Sequence, residues 1–162
     1  PPHKKDHKVT EAQTRCAMTK LAIADYPYFV FSDFEVRRRG DTYTAQTLKL
    51  LKEKYPKHTF YFIIGADSLF EIENWYHPEE VMAAAILLVA GRDCGQKGKT
   101  IQEQIEYLSH KYGARIFRIH SDEVAIASEK IRAMAQKGLP LTSYVPEKVI
   151  NYISCHHLYQ QV

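Results

Sequence analysis

A glycine and a carboxylate follow an apolar run at a place where an open α/β sheet would bind a ligand. Residues 60–64 are aromatic or β-branched, which predicts a buried strand, and Gly65-Ala66-Asp67-Ser68 comes next. Ligands of such sheets bind beyond the carboxyl ends of the strands. Gly65 would allow a close approach to the backbone, and Asp67 can accept two hydroxyl hydrogen bonds, as a ribose would donate them. Asp67 could instead cap a short helix, and this stretch alone favours the cap.

Ser128 and Arg132 have a spacing that suits an anion. A helix predicted to open at Ser128 would present unpaired N–H groups in its first turn, and Arg132, one turn later, could form a bidentate phosphate contact. A capped helix with a solvent-facing arginine explains the same spacing and is the more common case. Arg92 and Lys4 are further cations, one after a predicted strand and one in a basic leader. Taken alone, each is more often a solvated charge than a ligand contact.

The only tryptophan, Trp75, lies in a predicted loop after the Gly65–Ser68 turn. An indole there can stack on a heterocycle or simply cover the edge of the core. Thr44 stands in the first turn of another predicted helix, where it could contact a ligand or act only as a cap. Phosphate-binding, hydroxyl-binding and aromatic groups together indicate a nucleotide ligand.

Several other chemistries have no support in the sequence. There is neither a Gly-x-Ser-x-Gly nucleophile motif nor a P-loop. The three cysteines, Cys16, Cys94 and Cys155, have no metal-site spacing, so we expect free thiols in a reducing cytoplasm and no protein-bound metal.

Length and composition indicate one ordinary globular domain over residues 1–162. The chain is 45% hydrophobic and 25% charged, with a net charge of +3. This charge is too small to indicate nucleic-acid binding. No apolar run approaches the ~20 residues of a membrane span, and no signal peptide is recognisable.

The elements that must position these residues alternate between strand and helix. Strands are predicted at residues 28–31, 60–64, 86–90 and 115–119. Helices are predicted to open near Thr10 (with Gln13 in a capping box), Tyr43, Leu69, Pro78, Thr100, Ser128 and Pro146. Alternation with short links predicts an α/β fold, a parallel sheet with helices on both faces.

Six stretches in this order resemble the bacterial nicotinate-nucleotide adenylyltransferase family. They are Pro1-Pro2-His3-Lys4, Tyr43-Thr44-Ala45-Gln46-Thr47-Leu48, Phe62-Ile63-Ile64-Gly65-Ala66-Asp67-Ser68, Trp75-Tyr76, Ile126-Ala127-Ser128 with Ile131-Arg132, and Tyr144-Val145-Pro146-Glu147-Lys148-Val149 through Tyr152-Ile153. Each stretch is weak alone, but together they are specific and cover nearly the whole chain.

The resemblance implies a Rossmann-like nucleotidylyltransferase fold and adenylyl transfer from ATP to nicotinate mononucleotide. The products would be deamido-NAD and pyrophosphate, in NAD biosynthesis. Mg²⁺ would be held through substrate phosphates. We expect a cytoplasmic enzyme without nucleic-acid or membrane partners, and a homodimer would be compatible with its apolar strand edges.

The resemblance also assigns roles to residues. Gly65 and Asp67 would bind the adenosine ribose. The ATP phosphates would contact Ser128 and Arg132, with Arg92 on the ATP side. Tyr43, Thr44 and Trp75 would form the nicotinate pocket, and Lys4 would lie near the mononucleotide.

The chain departs from the family pattern at one place. It has eight histidines, but none lies in the His-x-Gly-His that contacts the triphosphate, and the family's Gly-Gly-Thr-Phe-Asp-Pro turn is missing too. We therefore expect that an N-terminal βαβ unit is absent from this sequence and that the 162-residue polypeptide alone is inactive. A glutamate, Glu129, also follows Ser128 where the family has a hydroxyl residue.

Two alternatives remain open at this point. A pantetheine-phosphate adenylyltransferase would also end in a Ser-x-x-x-Arg helix, without the Tyr43, Thr44 and Trp75 pocket. A non-catalytic nucleotide-binding protein that lacks the phosphate loop would keep part of each pocket.

Overall fold

The computed structural model describes residues 10–38, 40–91, 98–119 and 127–159. Its elements in chain order are α1 (Ala12–Ile23), α2 (Thr44–Lys54), β1 (Tyr61–Gly65), α3 (Ala66–Glu71), a 3₁₀ turn (Ile72–Asn74), α4 (Pro78–Ala84), β2 (Ile86–Ala90), α5 (Ile101–Tyr112), β3 (Ile116–Arg118), α6 (Ser128–Gln136) and α7 (Glu147–Cys155). None of the described helices is both long and apolar enough to cross a membrane.

The described residues fall into two compact units. The sheet unit comprises residues 40–91 and 98–119, and the helical unit comprises residues 10–38 and 127–159. The single domain expected over residues 1–162 stays a prediction.

The sheet unit confirms the predicted parallel α/β arrangement. Its three strands are parallel in the order β1-β2-β3, and the connections run through α3, α4 and α5. Because β1 pairs with β2 from Tyr61↔Ile86 to Gly65↔Ala90, the carboxyl ends of these two strands lie side by side.

The two faces of β1 differ in burial. Phe62 and Ile64 pack into the apolar core of the sheet unit, whereas Tyr61 and Ile63, which point to the other face, are 61% and 65% exposed. The apolar run of residues 60–64 predicts burial on both faces, but in the structure only alternate side chains are buried.

Local helix signals are confirmed where they are strongest. Thr100 and Glu103 form a reciprocal capping box at the start of α5, with Thr100 Oγ1 accepting from the Glu103 N–H at 3.2 Å. Pro78 occupies the first position of α4, where its missing N–H costs nothing.

The helical unit has its own small core. Leu141, Val149 and Ile153 are buried, and α1 packs against α7. Apolar side chains of α6 and α7 line this core. Further side chains packed against it are Met18, Leu21, Ala22, Ile131, Met134, Ala135, Val145, Ile150, Leu158 and Tyr159.

Two predictions for the helical unit are wrong. Residues 28–31 form no strand, because a strand requires a partner and the ladders among the described residues involve only β1, β2 and β3. The capping box of Thr10 and Gln13 is also absent. α1 has Glu11 as its N-cap, and the Thr10 hydroxyl donates instead to Tyr159 Oη at 3.4 Å.

Candidate functional site

Gly65 lies at the carboxyl end of β1, where it is also the N-cap of α3 with φ −78° and ψ 162°. This conformation is open to any residue. Apart from its chain neighbours, no atom of the described residues would lie within 4 Å of a Cβ atom placed on Gly65. Neither backbone strain nor packing therefore explains a glycine here, and the space beside its Cα is available to a ligand.

Asp67 is the second residue of α3, and its side chain is exposed beside this strand end. Because the N-cap is Gly65, the interpretation of Asp67 as the helix cap is wrong. A carboxylate in the first turn still interacts favourably with the helix dipole. The structure thus places an exposed carboxylate two residues beyond the open glycine.

Trp75 is partly buried against the core of the sheet unit. Its ring meets that of Phe62 edge to face, with centroids 6.3 Å apart and planes at 72°. Its backbone N–H donates to the Ile72 carbonyl at 3.1 Å. One part of the indole therefore covers the core edge, while the rest remains accessible.

Tyr43 and Thr44 lie at the start of α2, with Tyr43 as the N-cap and Thr44 as the first helical residue. The Tyr43 ring packs on that of Tyr76, with centroids 4.4 Å apart and planes at 35°. This contact brings the start of α2 beside the segment that carries Trp75. The structure thus places Tyr43 and Thr44 near the segment that carries Trp75.

The His77 ring packs against Tyr76, the residue that Tyr43 contacts, since its centroid lies 4.1 Å from that of the Tyr76 ring. It has a left-handed backbone with φ 48°, which is uncommon for a residue with a side chain. Its Nδ1 atom lies 3.1 Å from Glu79 Oε1. The pKa of Glu79 is lowered, first by a hydrogen bond that its carboxylate accepts from its own backbone and then by the contact with His77.

Ser128 and Arg132 belong to α6 of the helical unit, where both are exposed. The helix begins at Ser128, as predicted. Its N-cap is Ala127, however, so the expectation that Ser128 caps the helix is wrong. Four residues apart, the two side chains share one helix face. Glu129 points elsewhere, because successive helical side chains are about 100° apart.

Lys4 and Arg92, the remaining predicted site residues, lie outside the described residues. Sequence reasoning missed two others. Tyr76 bridges Tyr43 and His77, and its adjacency to Trp75 was the available signal. Arg118 is an exposed cation that ends β3, and its guanidinium donates to the Gly91 carbonyl at 3.5 Å. Its position at a strand end was the available signal, as it was for Arg92.

Within the part of the chain that the structure describes, no three His, Cys, Asp or Glu side chains are grouped so that they could hold a metal ion.

Comparisons with known proteins identify the family and the fold. The family model described as cytidylyltransferase-like matches residues 1–134. A probable nicotinate-nucleotide adenylyltransferase of Lachnoclostridium phytofermentans is 40% identical over 159 residues, which cover 98% of this chain and 79% of the relative. The protein of the same description from Carboxydothermus hydrogenoformans is 36% identical, with 99% and 79% covered.

Solved structures show the same fold. The nicotinic acid mononucleotide adenylyltransferase of Plasmodium falciparum complexed with APC superposes with a TM-score of 0.72 at 22% identity, covering 94% of this chain and 78% of that one. Its complex with NaAD gives 0.74 at 22% identity, covering 96% and 77%. The chain therefore has the Rossmann-like nucleotidylyltransferase fold, and it belongs to the nicotinate-nucleotide adenylyltransferase family.

Proposed function

We propose that the protein transfers the adenylyl group of ATP to nicotinate mononucleotide, producing deamido-NAD for NAD biosynthesis. A phosphate oxygen of the mononucleotide attacks the α-phosphorus of ATP. The bond from that phosphorus to the bridging oxygen breaks, and pyrophosphate leaves with the bonding electrons. The observation that carries this proposal beyond family membership is the packing of Tyr43 on Tyr76, the residue after Trp75, in the same unit as the open strand end at Gly65.

The strand end supplies the groups for the nucleoside of ATP. Gly65 leaves room for a close approach of the ribose, and the Asp67 carboxylate accepts its hydroxyl hydrogen bonds. These contacts orient ATP. Positioning accounts for much of the catalysis of phosphoryl and adenylyl transfer, because the protein itself forms no covalent intermediate.

Trp75 and the first residues of α2 supply the groups for the pyridine ring. Trp75 stacks on the ring, and Tyr43 and Thr44 face the nicotinate carboxylate with their backbone N–H groups. Lys4 is proposed to lie near the mononucleotide phosphate. An aromatic face contributes about 1–3 kcal/mol per stacked base, which is enough to select for a heterocycle.

The start of α6 supplies groups for phosphate. The first N–H groups of a helix have no intrahelical partner and attract anions, and Arg132 adds a positive charge one turn later. Ser128, Arg132 and Arg92 are thus proposed to bind ATP phosphates and to neutralise the charge that develops as pyrophosphate leaves.

Mg²⁺ is the proposed cofactor, coordinated by substrate phosphates as this ion commonly is. When bound, it would neutralise phosphate charge. We also propose a cytoplasmic location and no nucleic-acid partner. Size-exclusion chromatography would test whether the protein forms a homodimer.

Because Trp75 is the only tryptophan, its fluorescence reports on the proposed pocket directly. Nicotinate mononucleotide should quench it, and ATP should bind as measured by calorimetry. Nicotinamide mononucleotide, titrated in parallel, measures the preference for the carboxylate. Trp75→Phe should remove the fluorescence signal but retain binding measured by calorimetry. This variant therefore separates the loss of the fluorescent side chain from a general loss of binding.

The assignment fails if neither nicotinate mononucleotide nor ATP binds, or if phosphopantetheine binds in place of the mononucleotide. A separate proposal concerns the 162-residue polypeptide assayed alone. It contains no His-x-Gly-His, so we expect binding with little pyrophosphate release. Robust release would contradict only this second proposal.

A further inference from the structure

Glu73, in the 3₁₀ turn between α3 and Trp75, makes a cluster of contacts with the end of α5. Its Oε1 atom accepts hydrogen bonds from Lys111 Nζ at 2.7 Å, Tyr112 Oη at 2.9 Å and Tyr107 Oη at 3.3 Å. The donors lie 34 to 39 residues away in sequence. One carboxylate oxygen therefore ties this turn to the last turn of α5.

The donors are themselves held in place. Lys111 Nζ donates to Tyr107 Oη at 3.0 Å and lies 5.3 Å and 5.1 Å from the ring centroids of Tyr107 and Tyr112. A lysine ordered by two aromatic faces loses less entropy when it pairs with a carboxylate than a freely rotating lysine does. The cluster is thus a better anchor than an isolated surface ion pair.

The 3₁₀ turn that Glu73 anchors leads directly to Trp75. Ile72 is fully buried, Glu73 is held by α5, and Asn74 Nδ2 donates to Glu71 Oε2 at 2.7 Å. The Trp75 N–H closes the turn on the Ile72 carbonyl. A shift of Glu73 would therefore move Trp75 relative to Phe62.

We propose that Glu73, with Lys111, is a positioning residue that sets the orientation of Trp75 for the pyridine ring. This inference rests on the proposed function, because it assigns the indole to the mononucleotide. The hydrogen bond from Lys111 also lowers the pKa of Glu73, against a smaller effect of burial, so the carboxylate is ionised at neutral pH. The anchor is therefore intact under physiological conditions.

The test compares two ligands by calorimetry in the purified protein. Glu73→Gln should weaken the binding of nicotinate mononucleotide by about threefold to tenfold, the range expected for the net contribution of one typical hydrogen bond. The binding of ATP should change by less than about twofold. Trp75 should become more accessible to acrylamide quenching, while the far-ultraviolet circular dichroism stays the same.

Two further variants guard against a folding defect. Lys111→Met removes the same contact from the other side and should reproduce the selective loss, whereas Lys111→Arg keeps the cation and should retain most of the affinity. Glu103→Gln is the matched control, since it removes an exposed carboxylate that serves only the capping box of α5. It should leave both affinities unchanged.

The outcomes distinguish the two proposals. If the unmodified protein binds nicotinate mononucleotide and Glu73→Gln binds it equally well, or loses both ligands in parallel, the positioning role is overturned and the proposed function stands. If the unmodified protein does not bind nicotinate mononucleotide, the proposed function fails and the positioning role fails with it.

Discussion

A Cβ atom placed on Gly91 would lie only 3.0 Å from the Cβ of Ala66. Gly91 follows β2 and has φ +139°, a backbone conformation that residues with side chains rarely adopt. Ala66 begins α3 immediately after Gly65. The ends of the two neighbouring strands therefore approach each other as closely as a glycine allows.

Gly91→Ala should lower the free energy of unfolding by about 1–3 kcal/mol, because the new methyl group combines an unfavourable φ with a close contact. Chemical denaturation followed by circular dichroism measures the change. An unfolding midpoint equal to that of the unmodified protein would show that the strand end adapts without cost.

Gly65→Ala is the matched substitution at the neighbouring strand end. Its backbone is ordinary and its Cβ would meet open space, so we expect the free energy of unfolding to change by less than about 1 kcal/mol. The added methyl group should weaken ATP binding, measured by calorimetry, by about tenfold or more. Unchanged ATP affinity would mean that no ligand approaches this glycine.

Asp67→Asn should weaken ATP binding by about tenfold or more, since hydrogen bonds to a charged group contribute about 1.5–3 kcal/mol. The binding of tripolyphosphate, which has no ribose, should not change. If both ligands lost affinity equally, Asp67 would act through the helix rather than through a sugar.

Arg132→Met should show the opposite pattern, weakening ATP and tripolyphosphate together. The loss should shrink as salt is added, because screening already weakens the charge interaction. Lys130→Met removes the same charge from a different face of α6 and is the control. Equal losses in both variants would indicate a nonspecific effect of net charge.

The Glu73 cluster predicts a pH-dependent contribution to stability. Hydrogen bonds from Lys111, Tyr112 and Tyr107 lower the pKa of Glu73 from its ordinary value of 4.5 in the folded protein. A carboxyl group whose pKa is lower in the folded than in the unfolded protein stabilises the fold at pH values above the unfolded pKa. This stabilisation is lost as the pH falls through the folded pKa. At pH 7, Glu73→Gln should therefore unfold about 0.2–1 kcal/mol more easily.

As the pH falls below the ordinary pKa of 4.5, this difference should diminish and then disappear. Denaturation of the two proteins from pH 7 to pH 2.5 measures it. A difference that stays constant across this range would mean that the glutamine disturbs packing rather than removing the charge.

Much of the candidate site could be predicted because its residues lie in short motifs. Gly65, Asp67, Trp75 and Thr44 each stand beside a predicted helix or strand, and α3, α2 and the 3₁₀ turn place them as expected within one or two positions. The contacts between motifs could not be predicted. Tyr43 meets Tyr76 across 33 positions in the chain, and no local pattern specifies that pairing.

The same distinction explains the errors. A helix begins near Thr100, as predicted, and its capping box with Glu103 acts within one turn. Residues 28–31 have the composition of a strand but form none, since a strand depends on a partner from elsewhere in the chain.

The sequence by itself determined the family, the order of the helices and of β1, β2 and β3, and the residue types of the candidate site, because these follow from motifs and from interactions within a few residues. Only the tertiary structure decided which face of β1 is buried, that Gly91 abuts Ala66 and that Glu73 reaches Lys111. Those relationships join residues far apart in the chain, and they exist only once packing and backbone pairing have brought the segments together.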